Sequence, residues 1–388
     1  MKSFLATRWG IISVGIFIGI LASLLQFWGN PPNMGICVAC FERDIAGALG
    51  LHRAAVVQYM RPEIIGFVLG SFAAAYLFKE FRSRMGSAPI VRFVLGVFAM
   101  IGALVFLGCP WRALLRLAGG DGNAILGLIG LSFGIWVGTL FLKNGYNLGR
   151  TNKTHTAAGW MLPLIMLGFL VIMLFNPQIP GENQSGLLFY SVEGPGSLFA
   201  PLIVSLVAGL VIGFFAQKSR FCTMGAIRDL ILFKQTHLFG GLVALAVAAF
   251  VTNLILGQFN PGFADQPVAH NMHFWNFAGM GLAGLAFALA RMVMAAECGL
   301  ALDLADLPRE SHLADHQVLF SESMSRLVLT VDPKNRAEFE KLMAREPMDL
   351  IGRVTDSGRL IVRSPHGRTV LDLGWRELKK SYQETLGW

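Results

Sequence analysis

The chain has 388 residues, 54% of them hydrophobic and only 14% charged, with a formal net charge of +8. Soluble domains carry about a quarter charged residues, so this composition excludes an ordinary soluble protein and predicts a polytopic α-helical membrane protein. The charge is unevenly placed: residues 1–290 hold 9 acids and 18 Lys/Arg, whereas 291–388 hold 15 acids and 14 Lys/Arg. The basic excess therefore belongs to the apolar part, where cytoplasmic-loop bias explains it better than nucleic-acid binding, and no nucleic-acid partner is expected.

In chain order, "WGIISVGIFIGILASLLQFW" over 9–28 is the first spanning segment. It has the ~20 residues a bilayer needs and lacks a small-residue cleavage site, so it reads as a retained helix rather than a signal peptide. Further spans are predicted at 62–78, 91–107, 124–143, 157–175, 199–217, 237–257 and 273–290. Between them, 33–53, 109–123 and 219–235 are too short to cross and too apolar for ordinary loops. Such segments are expected to be re-entrant, buried in protein or lining a cavity. Lys2, Arg8, "KEFRSRMG" and "KNGYNLGRTNK" place the N-terminus and the even-numbered connections in the cytoplasm. The segment 176–198 and the loop "GQFNPGFADQPVAHN" carry acids and no Lys/Arg, which puts them outside. By the same count the C-terminal tail is cytoplasmic.

Two octapeptides repeat. "CVACFERD" (37–44) and "CTMGAIRD" (222–229) each set a cysteine six and seven residues before Arg-Asp, and each follows one span and precedes another. By the charge bias the first begins outside and the second inside, which is the pattern of inverted repeats with a site near the midplane. The first half also carries "GCPWRALLRLAGG" from Gly108, but the corresponding place near residue 294 reads "ARMVMAAECG", with no second Gly-Cys-Pro.

A short helix starting inside the membrane presents unpaired N–H groups and a positive dipole end, both of which favour an anion. Pro110 suits a helix start because its missing N–H needs no partner there. Arg43, Arg112, Arg116 and Arg228 add positive charge, and Asp44 and Asp229 stand beside Arg43 and Arg228 as counter-ions. Thiols are soft and polarisable, so Cys37, Cys109 and Cys222 at these positions suit a sulfur- or selenium-bearing solute. Cys40 reads more simply as a packing thiol, and Cys298 as inert. The five cysteines are too scattered for a disulfide framework, and the single C-x-x-C has no second pair to complete a zinc site. No metal, cofactor or catalytic residue is expected.

"NMGICVACFERDIAGALGLHRAAVVQYMRPE", "FLGCPWRALLRLAGGDGNA" and "RFCTMGAIRD" resemble the YeeE/YedE family, and more closely its YedE-related members linked to selenium metabolism. The likeness spans about residues 1–290. It implies a multi-pass protein of the bacterial inner membrane, a permease and not an enzyme, taking up a small sulfur- or selenium-containing anion. Cys37, Cys109 and Cys222 would line the solute path, and a cytoplasmic sulfur or selenium carrier protein would receive the solute.

From "RMVMAAECGLALDLADLP" onward the chain departs from that pattern and resembles the C-terminal end of PurL, the phosphoribosylformylglycinamidine synthase of purine biosynthesis. "GLAGLAFALA" (281–290) fits either parent. The expected domains are thus a membrane transport domain over 1–290 and a soluble α+β fragment over 291–388. In the fragment, 318–331 end in a strand, 333–345 form a helix and 359–363 another strand. It shows no phosphate-binding Gly loop, so purine-enzyme activity is not expected of it. Two other readings stay open: a membrane thiol redox protein using Cys37 and Cys40, opposed by the neighbouring Glu42 and Asp44, and a non-functional chimera.

Overall fold

A computed structural model of the chain describes residues 4–291, apart from 87, 145, 147, 149–151 and 180. It also describes 299–303, 331, 335–343, 349–355, 357–365, 367–374 and 377. Two compact units result, Met1–Val293 and Met294–Trp388; each is taken by itself.

The first unit contains α1 (Arg8–Phe27), α2 (Val38–Ala48), α3 (Pro62–Leu77), α4 (Pro89–Val105), α5 (Pro110–Ala118) and α6 (Asn123–Lys143). It continues with α7 (Thr156–Phe175), α8 (Leu202–Ser219), α9 (Thr223–Phe233), α10 (His237–Ile255) and α11 (His273–Arg291). Among the described residues, seven helical stretches are long and apolar enough to cross a membrane, by length and composition. The expected span over 62–78 is α3, which has only 16 residues and falls short of that length. Pro62 fixes its first turn, since proline is tolerated only there, and it cannot start earlier. The three short segments form α2, α5 and α9, helices of 11, 9 and 11 residues.

Packing is reciprocal. α1 lies against α10 and α3 against α8, while α11 packs on both α4 and α6. Glycines let these backbones meet: a Cβ on Gly70 would run into the carbonyl oxygen of Leu210, and one on Gly213 into that of Phe67. Such close approach brings the two backbones into direct van der Waals contact. The outward faces are greasy. On α7 Met161, Leu162, Leu164, Leu167, Leu174 and Phe175 are all exposed, a continuous surface that a water-soluble monomer rarely shows.

Two short antiparallel ladders tie the connections. β1 (Arg84–Met85) pairs with β2 (Asn152–Lys153), joining the two basic loops, and β3 (Gln184–Ser185) pairs with β4 (Leu188–Phe189). Glu80, after α3, receives a 3.0 Å bond from Lys218 and a 3.1 Å bond from Arg220 at the end of α8. The Lys218 hydrogen bond, with the positive charges of Lys218 and Arg220, holds the Glu80 carboxyl below the usual carboxylate range. A folded-state pKa below the unfolded one contributes stability above the unfolded value that is lost as pH falls through the folded one. The melting temperature of the purified protein is therefore expected to fall below about pH 4.3, the ordinary glutamate value, and Glu80→Gln to flatten part of that acid limb. A melting series from pH 7 to pH 3 checks it; superimposable wild-type and variant curves would exclude a contribution from this tie.

The second unit is a small α+β assembly. β5 (Gly299–Asp303), β6 (Gly352–Thr355), β7 (Arg359–Arg363) and β8 (Thr369–Gly374) form one sheet in the order β6-β5-β7-β8. β5 runs parallel to β7, and the other two pairings are antiparallel. Val362 is buried beneath Leu302, Leu360, Val370 and Leu371. The expected strand at 359–363 is β7, and the expected helix at 333–345 is realised as α12 (Arg336–Leu342). The strand expected at the end of 318–331 and Cys298 lie outside the described residues. β5, β6 and β8 were not anticipated: "GRVT" and "TVLDLG" place charges within the strand, as in the Arg359–Asp372 pair across β7 and β8 at 2.7 Å. Such mixed runs do not stand out as apolar periodicity.

Candidate functional site: a buried thiol and guanidinium cluster

Cys37 and Cys222 perform the same local task. Each is the N-cap of its short helix with extended backbone (φ −146° and −151°), and each sulfur accepts an N–H three residues on, at 3.4 Å from Cys40 and 3.3 Å from Gly225. The Arg-Asp pairs match as well: Arg43 Nη2 to Asp44 Oδ1 and Arg228 Nη2 to Asp229 Oδ1 are both 2.7 Å. Cys109 caps α5 from an extended conformation without a side-chain bond, and Pro110 occupies the first helical position.

The fold brings Cys37, Cys40 and Cys109 together. All three pack in one core with Phe41, Tyr59, Met60 and Tyr190, and Cys37 Sγ accepts the Cys40 N–H. None is in a disulfide. Arg112, fully buried, reaches the same place from α5. Its Nη1 donates to Cys40 Sγ at 3.4 Å and to the Leu107 carbonyl, Nε to the Asn33 carbonyl at 3.2 Å, and Nη2 to the Val268 carbonyl at 2.9 Å. Arg116, one turn later, pairs with Asp121 at 2.6 Å and lies over the Phe106 ring. Asp121 also accepts the Asn123 N–H at 2.9 Å, which fixes the entry to α6.

Cys222 and Arg228 are not part of this cluster. Cys222 packs in the other core of the unit, with Trp111 bordering both. Arg43 does not stand free toward a solute either: it shares Asp44 with Arg61, whose guanidinium lies 2.8 Å from Asp44 Oδ2. Arg61 also donates to the Leu198 and Pro195 carbonyls, both at 2.9 Å, and is sandwiched by Phe41 and Tyr59. Sequence reasoning missed Arg61 and Asp121, and read Cys40 as packing. "MRPE" is the sign of the first, an arginine held at a helix start beside an apolar run. Among the described residues no group of three or more His, Cys, Asp or Glu side chains is placed to hold a metal ion.

The family described as AIR synthase related protein, C-terminal domain, matches residues 277–364. The chain is 35% identical over 97 residues to the phosphoribosylformylglycinamidine synthase subunit PurL of Renibacterium salmoninarum, covering 24% of this chain and 12% of that protein. The tail is PurL-like. The PurL subunits of Methylocella silvestris (32% over 102 residues, 26% of this chain and 14% of that protein) and Limosilactobacillus reuteri (36% over 103 residues, 26% and 12%) match similarly. The chain thus spans about an eighth of the length of the curated relatives it matches.

These matches overturn the expectation of a permease that is not an enzyme. The matched relatives bear an enzyme's name over the C-terminal quarter, transport finds no support, and no match to the YeeE/YedE family is found. The physical source of the error is visible at α11. The enzyme-related match begins at Phe277, inside a helix that its hydropathy marks as a span. An apolar helix that a soluble domain would bury and one that crosses a bilayer look alike by composition.

Proposed function

We propose that the chain is a membrane-embedded helical unit carrying an enzyme-related tail. In this reading the tail contributes to a phosphoribosylformylglycinamidine synthase-type reaction as one piece of a larger domain. The observation that carries this reading is the coincidence of the 277–364 match with the strands β5, β6 and β7. The matched part is 12 to 14% of each relative, so in this reading the tail acts together with the remainder of such a domain. Among the described residues β6 and β8 lie at the edges of the sheet, and an edge strand offers a row of N–H and C=O groups to which another chain can pair.

Complementation tests this. A PurL relative shortened by its matching segment is expected to regain phosphoribosylformylglycinamidine synthase activity when mixed with the full chain, but not with a chain ending at residue 276. Equal activity with and without the full chain would overturn the reading.

For the helical unit, the seven long apolar stretches, the exposed apolar face of α7 and the resemblance to the YeeE/YedE family support residence in a bacterial inner membrane. The matched caps of α2 and α9 and the exchange of partners between α1/α10 and α3/α8 support an inverted repeat. The basic loops joined by β1 and β2 support a cytoplasmic N-terminus and tail.

A further inference from the structure

Arg112 is fully buried and its donors reach three carbonyl oxygens and one sulfur; among the described residues no carboxylate pairs with it. Arg116, a turn away and equally buried, has Asp121 as its counter-ion. Asp121 does not reach Arg112, and on Cys40's own helix Arg43 and Asp44 offset each other in their 2.7 Å pair. An unmatched buried charge at Arg112 costs several kcal/mol, and carbonyl dipoles offset only part of it. The remaining acceptor on Arg112 is Cys40 Sγ, the one acidic group in its contact set. The same sulfur sits in the first turn of α2, where the helix's positive end favours an anion, and Cys37 Sγ accepts the Cys40 backbone N–H at 3.4 Å from the cap position.

We infer that Cys40 is the nucleophile of the Cys37–Cys40–Cys109 cluster, held as a thiolate ion-paired with Arg112, and that the site takes small, uncharged, soft electrophiles. The inference concerns the helical unit and stands apart from the role proposed for the tail. Charged reagents are disfavoured because the walls are apolar, formed by Phe41, Met60 and Tyr59, and because the guanidinium charge is already matched. With an alkyl iodide the step balances without a redox partner: a Cys40 lone pair forms the S–C bond, the C–I bond breaks, and iodide leaves with its electron pair. The resulting thioether is neutral, so Arg112 loses its counter-ion.

The test is alkylation of the full-length purified protein by iodoacetamide, followed by peptide mass spectrometry at each cysteine from pH 6 to pH 8. Access alone favours Cys222, which is partly exposed while Cys37 and Cys40 are fully buried. An ordinary thiol with a pKa near 8.5 gains reactivity by nearly a hundredfold over that range, and an unstructured cysteine peptide in the same reaction serves as the reference. Cys40 is expected to react at a rate that changes less than about threefold, since a resting thiolate is already the reactive form. In Arg112→Gln the Cys40 rate at pH 6 is expected to drop more than tenfold and to acquire the steep profile. If that variant does not fold, the wild-type profile alone decides. A Cys40 rate that climbs with pH as the reference peptide's does, no modification of Cys40, or faster modification of Cys37 or Cys109 at pH 6 overturns the inference.

Discussion

Asp44→Asn is expected to destabilise the helical unit by about 3–5 kcal/mol, the range for removing one partner of a buried ion pair. The carboxylate is fully buried and receives both Arg43 and Arg61. Asparagine retains the shape and one acceptor oxygen, so lost packing is not the cause. What changes is charge: Arg61, also fully buried, keeps two carbonyl acceptors and two aromatic faces but no anion. Because Arg61 precedes α3 and binds the 195–198 segment that leads into α8, the damage extends to both helices. Thermal unfolding followed by size-exclusion monodispersity in detergent measures it. Asp229→Asn is the comparison, since the equivalent pair in α9 is partly exposed and such pairs contribute about 0–1 kcal/mol. Equal effects of the two substitutions would mean that burial of the first pair is energetically unimportant.

Gly134→Leu is expected to be at least as damaging, by another route. A Cβ at Gly134 would overlap the Gly281 carbonyl oxygen and stand 2.8 Å from the Leu285 nitrogen, both backbone atoms of α11. Backbone cannot rotate out of the way as a side chain can, so α6 and α11 must separate. Overpacking costs about 1–3 kcal/mol when side chains absorb it, and a forced helix separation exceeds that. Gly168 on α7 supplies the control, because a Cβ there meets nothing within 4 Å. Gly168→Ala is expected to be neutral or stabilising by up to about 1 kcal/mol, from helix propensity alone. The same unfolding assay ranks them; a Gly134→Leu protein that melts with wild type would show that α6 and α11 are not held by close approach.

The helices were legible because span length and apolar content are local properties, as α1, α7 and α10 illustrate. The kinship of the two octapeptides was legible because cysteine and Arg-Asp keep one spacing; that Cys37 and Cys222 cap their helices was not read from them. The rest depended on distance along the chain. Asp44 looked satisfied by its neighbour Arg43, which hid a second partner 17 residues away. Cys40 looked like a packing thiol because Arg112 is 72 residues distant, and nothing in the octapeptide announces it. Asp44 and Asp229 pair with Arg43 and Arg228 as their adjacency suggests, but on two separate short helices, α2 and α9. The strands β6 and β8 were missed because short strands with charges inside them lack a clean two-residue rhythm.

The start of the enzyme-related match inside α11 has a bearing on how the polypeptide is made. Synthesis proceeds from the N-terminus, so α4 and α6, the partners of α11, exist before any strand of the sheet has left the ribosome. The fate of residues 277–291 is thus decided by birth order rather than by ancestry: whichever neighbour is translated first claims them.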